Sequence, residues 1–177
     1  MKQLLVIVDM QNDFIEGTLG TKEAQRIVDN VAAKIAVFQG DAIYATLDTH
    51  HDDYLNTTEG RYLPVKHCIR GSNGWMLHEK VKNALTTPSS QTIFIEKPTF
   101  GSIELATQIA EKYRGEELEI ELAGLCTDIC IVTNALLLKT MLPDATIIVD
   151  SSSCAGVTPA SHEAALTTMK MCQIKVV

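Results

Sequence analysis

The chain has 177 residues, of which 46% are hydrophobic, so it can bury one substantial core, and we expect a single domain over residues 1–177. Its formal net charge of −7 disfavours nucleic acid and anionic membrane surfaces as partners. The apolar run over residues 4–8 is too short for the core of a signal peptide, and we expect no membrane-spanning segment in the remainder.

The cysteine content indicates a reducing compartment. An odd number of scattered cysteines, without a secretion signal, favours free thiols over a disulfide framework. The five cysteines are Cys68, Cys126, Cys130, Cys154 and Cys172. We therefore expect a cytoplasmic protein with reduced thiols.

Hydrophobic patterning in the first half of the chain predicts alternating strands and helices. The near-continuous apolar run over residues 3–8 is typical of a strand buried on both faces. An amphipathic helix over residues 22–38 and a second strand over 42–47 follow. Residues 53–74 have no clear periodicity and read as a long loop, a kind of segment that is often functional. A short helix is predicted over residues 75–84.

The second half continues the same alternation. A helix is predicted over residues 103–113 with Ser102 as its N-cap, and Pro159 suits the first position of a further helix. Gly124 is interpreted as the end of the fourth strand. The predicted strands of this half are residues 91–96, 118–122, 145–149 and 174–177.

Strands that alternate with helices predict an α/β fold, in which helices cover both faces of a parallel sheet in three layers. In such sheets, ligands bind beyond the carboxyl ends of the strands. The residues with useful chemistry all follow predicted strands, and they are Asp9, Asp48, His50, Lys97 and Cys130. We therefore expect these side chains to meet at one edge of the sheet.

Cys130 is the candidate nucleophile. It follows the fourth strand and lies in the first turn of a predicted helix, with Thr127 as the expected N-cap and Asp128 in the first turn. The helix N-terminus stabilises an anion by about 1 kcal/mol, so we expect the thiol to ionise more easily. The alternative is a buried and inert cysteine, which is the commoner state of a single cysteine.

Four motifs in this order resemble those of the isochorismatase-like cysteine hydrolases, and among them the nicotinamidases (pyrazinamidases). They are Val8-Asp9-Met10-Gln11-Asn12-Asp13-Phe14, Asp48-Thr49-His50, Lys97-Pro98-Thr99-Phe100 and Gly124-Leu125-Cys126-Thr127-Asp128-Ile129-Cys130. Each motif is weak alone, but together they are specific and span most of the chain. The resemblance implies a six-stranded parallel sheet with strand order 3-2-1-4-5-6.

The resemblance also implies a catalytic triad of Asp9, Lys97 and Cys130. Cys130 would attack an amide carbonyl and form a thioester, Asp9 would exchange the protons, and Lys97 would stabilise negative charge. A cis peptide is implied at Leu125–Cys126. The backbone N–H groups of Cys126 and Cys130 would form the oxyanion hole.

A metal site is implied by the same resemblance. Residues two apart on an extended strand point to one side, so Asp48 and His50 can share a cation. The implied ligands of one divalent ion are Asp48, His50, Glu59 and His67. Carboxylate and imidazole groups suit zinc, with manganese or iron as alternatives. The neighbouring residues His51, Asp52 and Asp53 stay open as alternative ligands.

Candidate substrate contacts are Phe14, Phe100 and Leu125. Nicotinamidases often carry an aromatic residue just before the last metal histidine, where this chain has Leu63-Pro64-Val65, with Tyr62 nearby. His162 lies on a predicted helix and is interpreted as structural. The resemblance implies a small-molecule amide as substrate and a homo-oligomeric assembly.

The leading hypothesis is a metal-dependent amidohydrolase that converts nicotinamide to nicotinate and ammonia. Within the same fold, an N-carbamoyl amide hydrolase or an isochorismatase-type hydrolase is the alternative. From other classes, a thiol redox protein using Cys126 and Cys130, or a non-catalytic small-molecule binding module, remains possible. The CxxxC spacing is a weak redox signal.

Overall fold

A computed structural model describes residues 1–86 and 91–177. Its strands are β1 (Lys2–Val8), β2 (Ala42–Asp48), β3 (Gln91–Lys97), β4 (Leu118–Leu125), β5 (Thr146–Ala155) and β6 (Lys175–Val176). In the described part of the chain they form one six-stranded sheet, in the order β3-β2-β1-β4-β5-β6, and every neighbouring pair is parallel. The predicted fold class and strand order are confirmed.

Helices connect the strands and cover both faces of the sheet. They are α1 (Asn12–Ile15), α2 (Lys22–Val37), α3 (Thr58–Tyr62), α4 (Glu79–Leu85), α5 (Ile103–Lys112), α6 (Val132–Met141) and α7 (Pro159–Met171). Ser102 caps α5 as predicted, since its hydroxyl accepts a hydrogen bond from the Leu105 N–H. Among the described residues, none of the helices has the length and apolar character needed to cross a membrane.

The core lies on both sides of β1, because alternate residues of a strand point to opposite faces. Leu4 and Val6 belong to the apolar cluster that includes α5, α6 and α7. Leu5 and Ile7 belong to the cluster on the other face, which includes α2 and α4. β1 is therefore a central strand, and Asp9 directly follows its carboxyl end.

The segment predicted as a loop over residues 53–74 contains more structure than expected. A 3₁₀ turn over Tyr54–Asn56 leads into α3, and Thr57 caps that helix by accepting a hydrogen bond from the Gly60 N–H. The helix predicted over residues 75–84 begins later, at Glu79. Its expected first turn instead pairs with the segment that follows β1, through an antiparallel bridge between Gln11 and Leu77.

Two strands extend past their predicted ends. β4 continues through Gly124, whose φ is +128° and where an added Cβ would collide with the Val8 backbone. The glycine therefore permits close approach of β4 to β1, and it does not end the strand. β5 continues to Ala155, so Asp150 and the serines after it belong to the strand.

Candidate active site

The carboxyl ends of the central strands bring the predicted chemical groups together. Asp9 directly follows β1, while Asp48 and Lys97 are the last residues of β2 and β3 and are register partners. Cys130 follows β4 after a short connection. Asp9, Asp48, Lys97 and Cys130 are all buried. The sheet thus brings two carboxylates, an amine and a thiol together at the carboxyl ends of its strands, as the parallel topology predicts.

Lys97 lies at the centre of the first group. Its Nζ is 2.7 Å from Asp9 Oδ2 and 3.5 Å from Cys130 Sγ. It also donates to the Thr99 carbonyl oxygen at 3.1 Å. On the other side of Asp9, the Thr46 hydroxyl donates to Oδ1 at 2.6 Å. The Lys97 side chain is only 1% exposed, so it is a buried group and not a solvated surface lysine.

Burial controls the proton affinities of this group. Burial raises the pKa of Asp9 even though the Lys97 ammonium opposes the shift. Burial alone would lower the pKa of Lys97, but the charges of Asp9 and Cys130 outweigh it and raise that pKa. Burial and the Asp9 charge raise the pKa of the Cys130 thiol well above its usual value. The expected easier ionisation of Cys130 is wrong for the free protein, because desolvation exceeds the stabilisation from the helix N-terminus.

The turn that carries Cys130 differs from the predicted helix start. The Leu125–Cys126 peptide is cis, as the resemblance implies. A single π-helical turn over Thr127–Ile131 precedes α6. Thr127 is not the N-cap, because its hydroxyl pairs with His162 Nδ1 at 2.8 Å. His162 therefore has a defined partner in the turn that carries Cys130, which the sequence did not reveal.

A second contact joins the same turn to the segment that follows β5. The Asp128 carboxylate accepts from the Val157 N–H, at 3.1 Å and 3.2 Å for its two oxygens. Val157 lines the cavity in front of Cys130. The Thr127–His162 contact and the Asp128–Val157 contact therefore fix the position of the π-helical turn relative to this wall of the cavity.

A group of three buried side chains could hold a metal ion. Donor atoms of Asp48, His50 and His67 all lie within 4.8 Å of one another. His50 Nε2 and His67 Nε2 are 3.0 Å and 3.5 Å from Asp48 Oδ2. Burial alone would raise the pKa of Asp48. Contact with the two imidazoles and Lys97 outweighs burial and lowers the pKa below its usual value, so the carboxylate stays ionised.

The imidazoles have the orientation that metal binding requires. His67 Nδ1 lies 2.8 Å from the Val65 carbonyl oxygen, which fixes the tautomer with Nε2 as the free acceptor. Among the described residues, His50 Nε2 is one of two buried side-chain polar atoms without a hydrogen-bond partner. It lies near Asp48 but is not aligned for hydrogen bonding. A buried, unsatisfied imidazole nitrogen beside a carboxylate fits a divalent cation.

Glu59 lies at the edge of this cluster. Its Oε1 is 3.6 Å from both His50 Nε2 and His67 Nε2, and its side chain is 22% exposed. The alternative ligands His51, Asp52 and Asp53 are exposed and lie outside the cluster. The buried ring of Tyr54 packs 4.6 Å from His50 and 5.0 Å from His67, measured between ring centroids, and so supports both imidazoles.

A cavity of about 270 Å³ opens between the Cys130 thiol and the candidate metal ligands Asp48 and His67. Its lining includes Cys130, Asp48, Glu59 and His67, and both Phe14 and Phe100 form parts of its wall. Leu125 is not a wall residue, because its side chain is buried in the apolar cluster between the sheet and α2. Leu63 and Ile129, both within segments noted in the sequence, also line the cavity. Leu19, Thr21 and Val157 line it without having been singled out from the sequence.

Gln11 is a site residue that sequence reasoning did not single out. Its side-chain oxygen accepts from the Asp48 N–H at 2.7 Å, and its Nε2 donates to the Asp48 carbonyl oxygen at 2.8 Å. The same Nε2 donates to the Trp75 carbonyl oxygen. The buried amide thus ties the end of β2 to the segment that follows β1, and it fixes the backbone of the candidate metal ligand Asp48. Its place in the first motif was the available signal.

Comparison with known proteins agrees with this geometry. A model of the isochorismatase domain matches residues 3–177. The uncharacterized isochorismatase family protein PncA of Bacillus subtilis is 27% identical over 146 residues, covering 77% of this chain and 78% of that protein. The crystal structure of a nicotinamidase/pyrazinamidase, PncA from B. subtilis, has a TM-score of 0.87 at 27% identity and covers 100% of both chains.

A zinc-containing relative is also similar. The pyrazinamidase of Pyrococcus horikoshii in complex with zinc has a TM-score of 0.78 at 26% identity, covering 100% of this chain and 99% of that one. Together with the buried Asp48, His50 and His67 cluster, this similarity supports a metal ion in the present chain. Since the domain model spans nearly the whole sequence, the chain belongs to the isochorismatase domain family.

Proposed function

We propose that the protein is a metal-dependent cysteine amidohydrolase that converts nicotinamide to nicotinate and ammonia. The observation that carries the proposal is the position of Lys97, whose Nζ contacts Asp9, Cys130 and Asp48 at one end of a small cavity. That arrangement puts a nucleophile, a proton acceptor and a metal cluster within reach of one bound molecule. The named nicotinamidase and pyrazinamidase relatives supply the substrate class.

In the first half of the reaction, the Asp9 carboxylate takes the proton of the Cys130 thiol as sulfur attacks the amide carbonyl carbon. The Lys97 ammonium, at 3.5 Å from the sulfur, stabilises the thiolate as it forms. The tetrahedral intermediate collapses when the amide nitrogen takes the proton back from Asp9. The C–N bond breaks, ammonia leaves and a thioester remains.

In the second half, Asp9 takes a proton from water as the water oxygen attacks the thioester. The C–S bond breaks, the carboxylic acid product forms, and the Cys130 sulfur recovers its proton from Asp9. The raised pKa of Asp9 suits this shuttle, because a carboxyl with a higher pKa accepts and returns protons more readily near neutral pH.

We assign the oxyanion hole to the backbone N–H groups of Cys126 and Cys130. Both residues line the cavity, and Cys130 lies in the first helical turn after β4. Backbone N–H groups at such a turn are suited to stabilising the oxygen of a tetrahedral intermediate. In this role Cys126 acts through its backbone.

For the metal we propose zinc, with manganese or iron as alternatives, held by Asp48, His50, Glu59 and His67. Glu59 completes the set because its Oε1 is 3.6 Å from each imidazole Nε2. An ion held by these residues would supply a Lewis-acidic centre for the pyridine nitrogen of the substrate. Phe14 and Phe100 flank the ring as apolar walls, which favours an aromatic acyl group.

The redox alternative has little support. Thiol–disulfide exchange requires a thiolate, yet burial raises the pKa of Cys126 to about 12 and that of Cys130 well above its usual value. All five cysteines are free thiols, which suits our proposal of a cytoplasmic, single-domain enzyme. Homo-oligomerisation stays a prediction of the family resemblance.

The direct experiment is ammonia release from nicotinamide by purified protein, before chelation, after chelation, and after re-addition of Zn²⁺, Mn²⁺ or Fe²⁺. We expect turnover that is lost on chelation and restored by at least one metal. Full-rate hydrolysis by metal-free protein would contradict the metal requirement. Absence of ammonia from every metal-loaded sample would contradict the nicotinamidase assignment.

A further inference from the structure

A second pocket lies directly outside the cavity that contains Cys130. We name it the outer groove, and it is lined by Thr58, Glu59, Tyr62, Leu63, Thr99, Phe100 and Ile129. Its volume is about 500 Å³, compared with about 270 Å³ for the cavity. Glu59, Leu63, Phe100 and Ile129 line both spaces. The outer groove is therefore a continuation of the cavity toward solvent.

The outer groove is apolar and open. Tyr62 is 89% exposed and Phe100 is 47% exposed, although both residues are aromatic. Grouped apolar side chains at a protein surface commonly mark a place where a ligand binds. Glu59 contributes the charged group of the lining.

The groove and the proposed catalytic groups share the same chain segments. Tyr62 is the last residue of α3, which also carries Glu59, and Leu63 directly follows that helix. Phe100 follows Lys97 after the end of β3. Leu63 borders both spaces, while Tyr62 lines only the outer groove. The aliphatic side chain of Leu63 therefore lies between the two spaces, and the exposed ring of Tyr62 lies on the solvent side.

We propose that the outer groove is a second substrate subsite that takes an uncharged, apolar substituent on the acyl part of the amide. The inference rests on the proposed amidohydrolase function. The carboxamide would bind beside Cys130 and the ring between Phe14 and Phe100. A substituent on the far side of the ring would then pass Leu63 and lie against Tyr62. The preferred substrates would include aryl-substituted aromatic amides that are larger than nicotinamide.

The test compares nicotinamide with 5-phenylnicotinamide and 6-phenylnicotinamide in the metal-loaded protein. We expect at least one phenyl amide to be hydrolysed with kcat/KM within about tenfold of nicotinamide. Tyr62→Ala should lower the ratio of kcat/KM for that amide over nicotinamide by about fivefold, since about 1 kcal/mol of apolar contact corresponds to that factor. Leu63→Phe should lower the same ratio by narrowing the passage.

Phe94→Ala is the matched control, because Phe94 is also an exposed aromatic, on β3, but it is outside the groove lining. It should leave the ratio within about twofold of the parent. Two inert phenyl amides beside an active nicotinamide, or an unchanged ratio in Tyr62→Ala, would overturn the subsite. A Tyr62→Ala protein that changes from oligomer to monomer would instead identify the groove as a subunit interface, and would also overturn it.

A calorimetric titration separates this proposal from the amidohydrolase assignment. If nicotinamide is not hydrolysed, that assignment fails, and binding still tests the groove. The phenyl-substituted acids should then bind the parent at least about fivefold more tightly than nicotinate, and this advantage should be lost in Tyr62→Ala. Equal binding of nicotinate and both phenyl acids by the parent would overturn the subsite.

Discussion

Lys97 and Asp48 are register partners at the ends of β3 and β2, and the lysine Nζ lies 3.4 Å from Asp48 Oδ1. The same ammonium contacts Asp9 at 2.7 Å. A single buried ammonium is therefore shared between one carboxylate beside the thiol and one carboxylate among the candidate metal ligands. Substitution of Lys97 should disturb both halves of the site.

The Asp9–Lys97 pair should behave as one unit. Asp9→Asn removes the proton acceptor and should lower kcat by about 10²–10⁴-fold. Lys97→Ala removes the charge next to Cys130 and should lower it to a similar extent. The double variant should lose far less than the product of the two single losses, as measured by ammonia release.

Folding must be verified in parallel, because Lys97→Ala leaves a buried carboxylate without its partner. Loss of one member of a buried pair costs about 3–5 kcal/mol, so thermal unfolding of each variant should be recorded. If the folded double variant loses the full product of the single losses, the triad assignment is wrong.

The metal prediction is one divalent ion per chain. His50→Ala and His67→Ala should each lower the metal content measured by elemental analysis, because each removes a buried donor of the cluster. His51→Ala is the matched control, since His51 neighbours His50 but is exposed and outside the cluster. It should retain the metal.

Thermal unfolding provides a second readout of the metal. A ligand that binds only the folded state raises stability by RT ln(1 + [L]/Kd), so added metal should raise the Tm of the parent and of His51→Ala. Equal metal content in His50→Ala, His67→Ala and the parent would exclude the assigned ligands.

The Thr127–His162 contact predicts a positioning role for His162. His162→Ala should lower kcat by about three- to tenfold with KM within about twofold, because the turn that carries Cys130 loses a 2.8 Å contact. His162→Asn should restore part of the loss, since its amide can replace Nδ1. Glu163→Ala, at the exposed next position, should have no effect. Equal effects of alanine at 162 and 163 would argue against the role.

Buried thiols predict a loss of stability at alkaline pH. Burial raises the pKa of Cys154 to about 12, whereas the pKa of a cysteine in the unfolded chain is about 8.5. Between these values the folded state holds a proton that the unfolded state releases, so the free energy of unfolding falls as pH rises. For Cys154 this amounts to about 2 kcal/mol at pH 10.

Urea unfolding at pH 8 and pH 10 measures this effect. Cys154→Ala should reduce the difference between the two pH values, whereas Cys172→Ala should not, because Cys172 is exposed. An identical pH dependence in Cys154→Ala and the parent would contradict the assigned shift.

The sequence predicted the sheet and most of the convergence at its edge, because hydrophobic alternation locates strands and parallel topology aligns their carboxyl ends. It did not predict the high pKa of Cys130, since desolvation depends on packing by distant segments. The contact of Thr127 with His162 joins residues 35 positions apart and has no local pattern. The assignment of Leu125 to the substrate site was wrong. A shift of one residue along a strand decides whether a side chain faces the core or the cavity.

The central claim is a thioester on Cys130, and rapid acid quenching during turnover of nicotinamide, followed by mass spectrometry of the peptides, tests it most directly. The account predicts a nicotinoyl adduct on the peptide sulfur of Cys130 in the parent, and neither adduct nor ammonia in folded, metal-loaded Cys130→Ala. Cys126→Ala should retain the adduct. Near-parental ammonia release by Cys130→Ala, or an adduct on Cys126 alone, would contradict the mechanism.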